Sequence, residues 1–170
     1  GFGEQYDVLM VFKPREIYSL EYYVDDGGIG QFQSKLVNAK MGCDVPHSIQ
    51  LINNLLVWCS TIDGVCTLVS TNIEDERNVR VISRNIEGGY RISGLLQEAN
   101  LKNALSVDWD SKYILSVNGK AYVWDYLMTP YSNTGKLDQD AKRLAWYLFD
   151  NFNSDCYIKA ERDLYYASGT

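Results

Sequence analysis

Short apolar runs separated by tight polar turns recur along this chain. The first copy is Val11-Phe12, a turn at Lys13-Pro14-Arg15-Glu16, then Ile17-Tyr18-Ser19-Leu20. The second runs from Leu55-Leu56-Val57-Trp58-Cys59-Ser60 through Asp63 into Gly64-Val65-Cys66-Thr67-Leu68. A third joins Tyr113-Ile114-Leu115-Ser116-Val117 to Ala121-Tyr122-Val123-Trp124-Asp125-Tyr126 across Asn118-Gly119. A weaker fourth joins Cys156-Tyr157-Ile158 to Leu164-Tyr165-Tyr166-Ala167. Alternating apolar positions rich in β-branched and aromatic residues predict strands. The copies lie about 40 to 55 residues apart, the spacing of propeller blades.

The turns sharpen the element boundaries. A hairpin is expected from about Asp7 to Val24, with Pro14 presetting φ at its corner. The glycines of Asp25–Gly30 predict a loop, and a short strand follows over Phe32–Val37. After a second loop at Gly42–His47, three strands are expected over Ser48–Asn53, Leu55–Ser60 and Gly64–Ser70. Three more are expected over Ala104–Trp109, Tyr113–Val117 and Ala121–Tyr126. Asn53-Asn54 and Asn118-Gly119 both suit positive φ. Between these groups the strand rhythm breaks. Val79, Ile82 and Ile86 have helical spacing, so a short helix is expected around Arg77–Ile86, stopped by Gly88-Gly89. A better helix is expected over Ser93–Asn103, capped by Ser93 with Leu95, Leu96 and Leu101 on its apolar side. Pro130–Asp140 reads as a linker-like loop, and Arg143–Phe149 as a strand buried on both faces.

The fold class that follows is all-β: a partial β-propeller of about four antiparallel blades, with a short helical insertion near residues 77–103. A β-sandwich of the same strands is the alternative. Residues 1–170 form one propeller-like domain. A first residue that is glycine rather than methionine, and an end at Tyr165–Thr170 where a turn should lead onward, predict a piece of a longer protein.

Charge narrows the partners. The 170 residues carry 16 Lys and Arg against 22 Asp and Glu, a net charge of -6. That balance argues against a general nucleic-acid coat. Arg77, Arg80, Arg84 and Arg91, with Glu74, Asp75, Glu76 and Glu87 interleaved, read as a solvated face; a phosphate-binding face is the minority reading. No run of residues has the length and apolarity of a membrane span, and no signal peptide is visible, so no membrane partner is expected.

Candidate chemistry is sparse. The motifs GxSxG, GxGxxG and GxxxxGK[ST] are all missing. A Ser-His-Asp device would have to use His47, the one histidine, which sits in a Pro-flanked loop. Cys43, Cys59, Cys66 and Cys156 form no CxxC motif, so zinc is not expected and free thiols are. Whether Cys59 pairs with Cys66 across their turn stays open. Asp108 and Asp110 bracket Trp109 and would share a strand face, as a glycosidase carboxylate pair or a cation site requires; the favoured reading is a strand end at Asp108 and a turn at Asp110. Trp58, Trp109, Trp124 and Trp146 all sit within apolar strands, so core packing between blades is the favoured role for most, and a sugar platform is the minority reading. No catalytic, cofactor or metal residue is assigned, and the interaction residues stay unknown.

These segments carry a resemblance: Val11-Phe12-Lys13-Pro14-Arg15-Glu16-Ile17-Tyr18, Met41-Gly42-Cys43-Asp44-Val45-Pro46-His47-Ser48-Ile49, Leu56-Val57-Trp58-Cys59-Ser60 with Gly64-Val65, Thr71-Asn72-Ile73-Glu74-Asp75-Glu76-Arg77-Asn78-Val79, and Ser106-Val107-Asp108-Trp109-Asp110-Ser111-Lys112-Tyr113 through Val123-Trp124-Asp125-Tyr126. In order and spacing, from about residue 8 to residue 126, the chain resembles the β-propeller structural proteins of tailed bacteriophages and prophages, of the tail-nozzle or DNA-stabilisation type. Cys66 departs from that pattern, which has an aromatic there. The resemblance implies a non-enzymatic virion protein of the tail or head–tail connection. It would be assembled in the bacterial cytoplasm and partnered by other virion or tail subunits, with a homo-oligomer left open. Any DNA contact would be transient, and no cofactor is implied. A carbohydrate- or host-receptor-binding module and a glycoside hydrolase-like propeller are the competing expectations.

Overall fold

A computed structural model describes residues 1–69, 78–90, 93–128 and 144–168. Among the described residues the fold is all-β, with four antiparallel sheets laid down in chain order. The first sheet is β1 (Phe2–Gln5), β2 (Val8–Phe12), β3 (Ile17–Val24) and β4 (Gly30–Asn38). The second is β5 (Gln50–Ile52), β6 (Leu55–Ser60), β7 (Gly64–Leu68) and β8 (Val79–Val81). The third is β9 (Leu105–Trp109), β10 (Lys112–Val117), β11 (Lys120–Asp125) and β12 (Trp146–Asp150). The last is the hairpin β13 (Cys156–Ala160) and β14 (Asp163–Ala167). Within each sheet every strand pairs with its sequence neighbour, so no strand crosses over another.

Local turn chemistry explains the hairpins. Tyr6-Asp7, Asn53-Asn54, Asp110-Ser111 and Asn118-Gly119 all have positive φ at both turn positions. Paired positive φ matches the twist of the flanking strands. The chain reverses at Pro14-Arg15 as expected, with the Lys13 amide donating to the Glu16 carbonyl at 2.9 Å and the Lys13 carbonyl accepting from the Cys43 amide at 2.9 Å. Gly42 docks onto that turn: a Cβ there would lie 2.1 Å from the Lys13 carbonyl oxygen. β4 carries one extra residue at Val37, where the register with β3 shifts.

The sheets stack in series, and period-two alternation decides which seam each residue fills. Leu56, Trp58, Cys66 and Leu68 of the second sheet pack against Met10, Phe12 and Ile17 of the first. Val57, Cys59 and Val65, on the opposite face, pack against Tyr113, Leu115 and Tyr122 of the third sheet. Val107, Ile114, Ala121 and Val123 turn the other way and meet Phe152, Tyr157 and Leu164. The central strands β6, β7, β10 and β11 of the second and third sheets are therefore buried on both faces, the outer two sheets on one. The first strands of successive sheets touch in order, β1 to β5, β5 to β9 and β9 to β13.

Polar side chains strap each seam. Gln5, 1 % exposed, donates to the Leu68 carbonyl at 3.2 Å and accepts from the Leu56 amide at 2.7 Å. Asn38 donates to Asn78 at 2.8 Å, and Asn78 donates to the Val37 carbonyl at 2.7 Å. Gln50 reaches the Ser106 carbonyl at 3.0 Å, and the Tyr113 hydroxyl reaches the Ser48 carbonyl at 2.9 Å. Lys159 bonds the Asp108 carbonyl at 2.8 Å. The Gln5, Asn38–Asn78 and Tyr113 straps satisfy groups that burial would otherwise leave unpaired.

Three expectations need correction. The helix expected around Arg77–Ile86 is not formed over its described part: Val79–Val81 is a strand pairing with β7, and the helical spacing of Val79 and Ile82 instead serves two seams. The helix expected over Ser93–Asn103 is two single-turn 3-10 helices, Leu95–Gln97 and Leu101–Asn103; Arg77, Arg91 and Ile92 lie outside the described residues. The insertion near 77–103 is thus strand plus 3-10 turns. Arg143–Phe149, expected to be buried on both faces, is instead the outermost strand of its sheet over Trp146–Asp150, with Tyr147, Leu148 and Phe149 about half exposed. The linker reading of Pro130–Asp140 and the acidic run Glu74–Glu76 also lie outside the described residues.

Candidate functional site

The tryptophans are structural. Trp58 is fully buried and donates its indole N–H to the Gly42 carbonyl at 2.8 Å, with Phe12 4.9 Å away ring to ring. Trp146 donates to the Ile82 carbonyl at 2.9 Å and stacks on Trp124 at 6.2 Å. Trp109 donates to the Arg162 carbonyl at 3.1 Å, linking the third sheet to the last hairpin. Trp58 is buried in one seam, while Trp124 and Trp146 are half-buried against a second and Trp109 against a third, so the four do not share one face.

The aspartate pair does not converge on a cleft. Asp108 accepts from the Tyr126 hydroxyl at 2.9 Å. Burial, with that carboxylate as acceptor, pushes the Tyr126 hydroxyl up to about 12. Asp110 occupies the positive-φ turn and pairs with Lys112 at 2.8 Å. His47 is exposed on the single 3-10 turn Pro46–Ser48. Among the described residues no three His, Cys, Asp or Glu come together as a metal site.

The cysteine question closes. All four thiols are free. Cys59 faces the seam between the second and third sheets and Cys66 the seam between the first and second, on opposite faces. Burial raises the Cys43 thiol above its ordinary value and the Cys59 and Cys66 thiols well above it. Cys156 is exposed. Arg80 and Arg84 are exposed.

What remains are surfaces. The outward face of the first sheet joins Leu9 to Leu20, Val11 to Tyr18 and Tyr18 to Leu36 across its ladders. Leu9 and Leu36 are exposed, as is Phe2 on the same face. At the other end of the stack, Ile158 and Tyr165 pair across the hairpin and point outward, 63 % and 57 % exposed. The β3–β4 ribbon also projects an aromatic tip, with Tyr22 and Phe32 edge to face at 5.3 Å.

The described residues also form a polar cleft of about 290 Å³ beside the Asn118-Gly119 turn. Its walls include Asn100, Asn103, Asn118, Asn153, Ser116 and Phe152. Behind it Glu98, whose side chain is 9 % exposed, accepts from Lys120 at 2.6 Å, Tyr122 at 2.8 Å and Asn118 at 3.0 Å. Burial pushes the Glu98 carboxyl up, but these three donors outweigh it and hold the group below its ordinary range. The sequence marked Asn118 only as a turn former and did not single out Glu98, Asn100, Asn103 or Asn153. The signal available was the concentration of asparagines at loop positions, which turn chemistry also explains.

Compared with known proteins, the chain matches no family model, no curated protein and no solved structure.

Proposed function

We propose that this chain is a non-enzymatic structural subunit of a tailed-phage or prophage virion, an arc of a β-propeller in the tail or head–tail connection. The observation that carries the reading is the serial stack. Four meandering antiparallel sheets pack face to face, their first strands touch in sequence, and both terminal faces carry exposed apolar residues. Successive blades of a propeller have this relation, with each blade covering the face of the last. The alternation seen at the inner seams continues outward onto Leu9, Leu20 and Leu36 at one end and Ile158 at the other. A neighbouring subunit's sheet would bury such faces by the same packing. The sequence resemblance supplies the virion context.

The test is composition of purified particles. The chain should co-purify with virions from the producing host, and Leu9→Glu with Leu20→Glu should lower its incorporation while the isolated subunit stays folded. Absence from particles, with the protein accumulating free, would overturn the proposal. The net charge of -6 fits a surface along which DNA slides without sticking, since like charges repel phosphate. Tight DNA binding at low salt would remove that part.

A further inference from the structure

We infer that the polar cleft beside the Asn118-Gly119 turn binds one residue of a neutral glycan. Three separate segments build it: the β10–β11 turn, the loop between β12 and β13, and the 3-10 turn ending at Asn103. The Phe152 amide donates to the Gly119 carbonyl at 2.7 Å and ties two of those segments together. Asn100 donates to the Asn118 carboxamide oxygen at 3.2 Å, and Asn118 in turn donates to Glu98. The wall is therefore held in place before any ligand arrives, which lowers the ordering cost of binding.

The chemistry of the lining selects the ligand class. Sugar hydroxyls both donate and accept, and carboxamides and serine hydroxyls do the same. The side-chain amides of Asn103 and Asn153 make no hydrogen bond to a described residue, so they are available to a ligand. No lysine or arginine lines the cleft, and its one ionisable lining residue is the acidic Asp155, which disfavours phosphate, sulfate or a sialic-type carboxylate. Phe152 supplies an apolar face for the C–H side of a sugar ring. Its own ring is braced by Tyr166 at 4.7 Å and Tyr157 at 6.4 Å. The volume of about 290 Å³ sits at the lower edge of the roughly 300–1,000 Å³ typical of small-molecule sites, so a single ring fits and an extended oligosaccharide does not. This site is independent of the apolar terminal faces.

The test titrates the intact chain with a panel of neutral methyl glycosides, hexoses and N-acetylhexosamines, by saturation-transfer NMR and calorimetry. At least one should bind with a dissociation constant on the order of 1 mM, the range of a few hydrogen bonds and one apolar face. Asn103→Ala and Asn153→Ala should each weaken it about three- to tenfold, the usual worth of one hydrogen bond. Both residues are exposed, so melting should not change. Gln33→Ala, on the distant β4 ribbon, should bind like the parent chain. Failure of every glycoside to bind, or affinity unchanged in both asparagine variants, would overturn the inference. Equal loss in the Gln33 variant would overturn it as well.

Discussion

At the scale of one residue, Gln5 does what an apolar side chain of its size cannot. Its carboxamide satisfies a backbone N–H and a backbone C=O that belong to a different sheet. Gln5→Leu keeps the volume but leaves both groups buried and unpaired. Each such group costs about 1–3 kcal/mol, so a loss of about 2–4 kcal/mol is expected in urea denaturation. A loss under about 0.5 kcal/mol, the level of an ordinary surface substitution, would mean that water replaces the strap. The thiols give a second residue-level outcome. Burial disfavours the thiolate at Cys43, Cys59 and Cys66, and the thiolate is the reactive form. At neutral pH a disulfide-exchange reagent should therefore label Cys156 alone in the native chain, and all four cysteines after denaturation. Fast native labelling of Cys59 would show that the central seam opens readily.

Among the elements, Glu98 ties the 3-10 segment to the β10–β11 hairpin. Its carboxyl sits below its ordinary range in the folded chain, so the stabilisation is present above the unfolded value and is lost as pH falls through the folded one. Glu98→Gln should cost about 1–2 kcal/mol at neutral pH, mostly through the hydroxyl of buried Tyr122 rather than the more exposed Lys120 and Asn118. The gap between parent and variant should close as pH drops through and below the ordinary glutamate range. Denaturation across that pH series checks it; a gap independent of pH would mean that the carboxylate charge contributes nothing. The same segment shows what was legible in the sequence. Hairpins around Pro14, Asn53-Asn54 and Asn118-Gly119 could be read because their turns depend on a few adjacent residues. Val79–Val81 could not, since an apolar spacing of three suits a helix as well as a strand followed by a bend, and only pairing with β7 decides. Trp146–Asp150 misled for the opposite reason: continuous apolarity normally marks a doubly buried strand, whereas here it lies at a sheet edge. The cleft was illegible because its asparagines come from segments up to 53 positions apart (Asn100 to Asn153), each explicable alone as a turn residue.

Across the whole molecule, stability should follow position in the stack. Each sheet packs only on its neighbours, so the chain approximates a short linear array whose stability is a sum of sheet and seam terms. The second and third sheets each share two seams, while the first sheet and the terminal hairpin share one apiece. A two-stranded hairpin is marginal by itself and depends wholly on the seam filled by Phe152, Tyr157 and Leu164. Local opening at the ends therefore uncovers one seam, whereas exposing β6, β7 or β10 requires two to separate. Native-state hydrogen exchange should show the amides of β6, β7 and β10 exchanging only through global unfolding. Those of β13 and β14 should exchange at least about a hundredfold faster, corresponding to a seam term of about 2.7 kcal/mol. The outer part of the β3–β4 ribbon, around Tyr22 and Phe32, should exchange fastest within the first sheet, since both residues lie exposed beyond the packed seam. Burial of the terminal faces by an added neighbouring subunit should raise protection in the first sheet and the hairpin while leaving the central sheets unchanged. Uniform protection across all four sheets in the isolated chain would contradict the serial arrangement of its energy, because it would require the end sheets to be coupled as strongly as the middle ones.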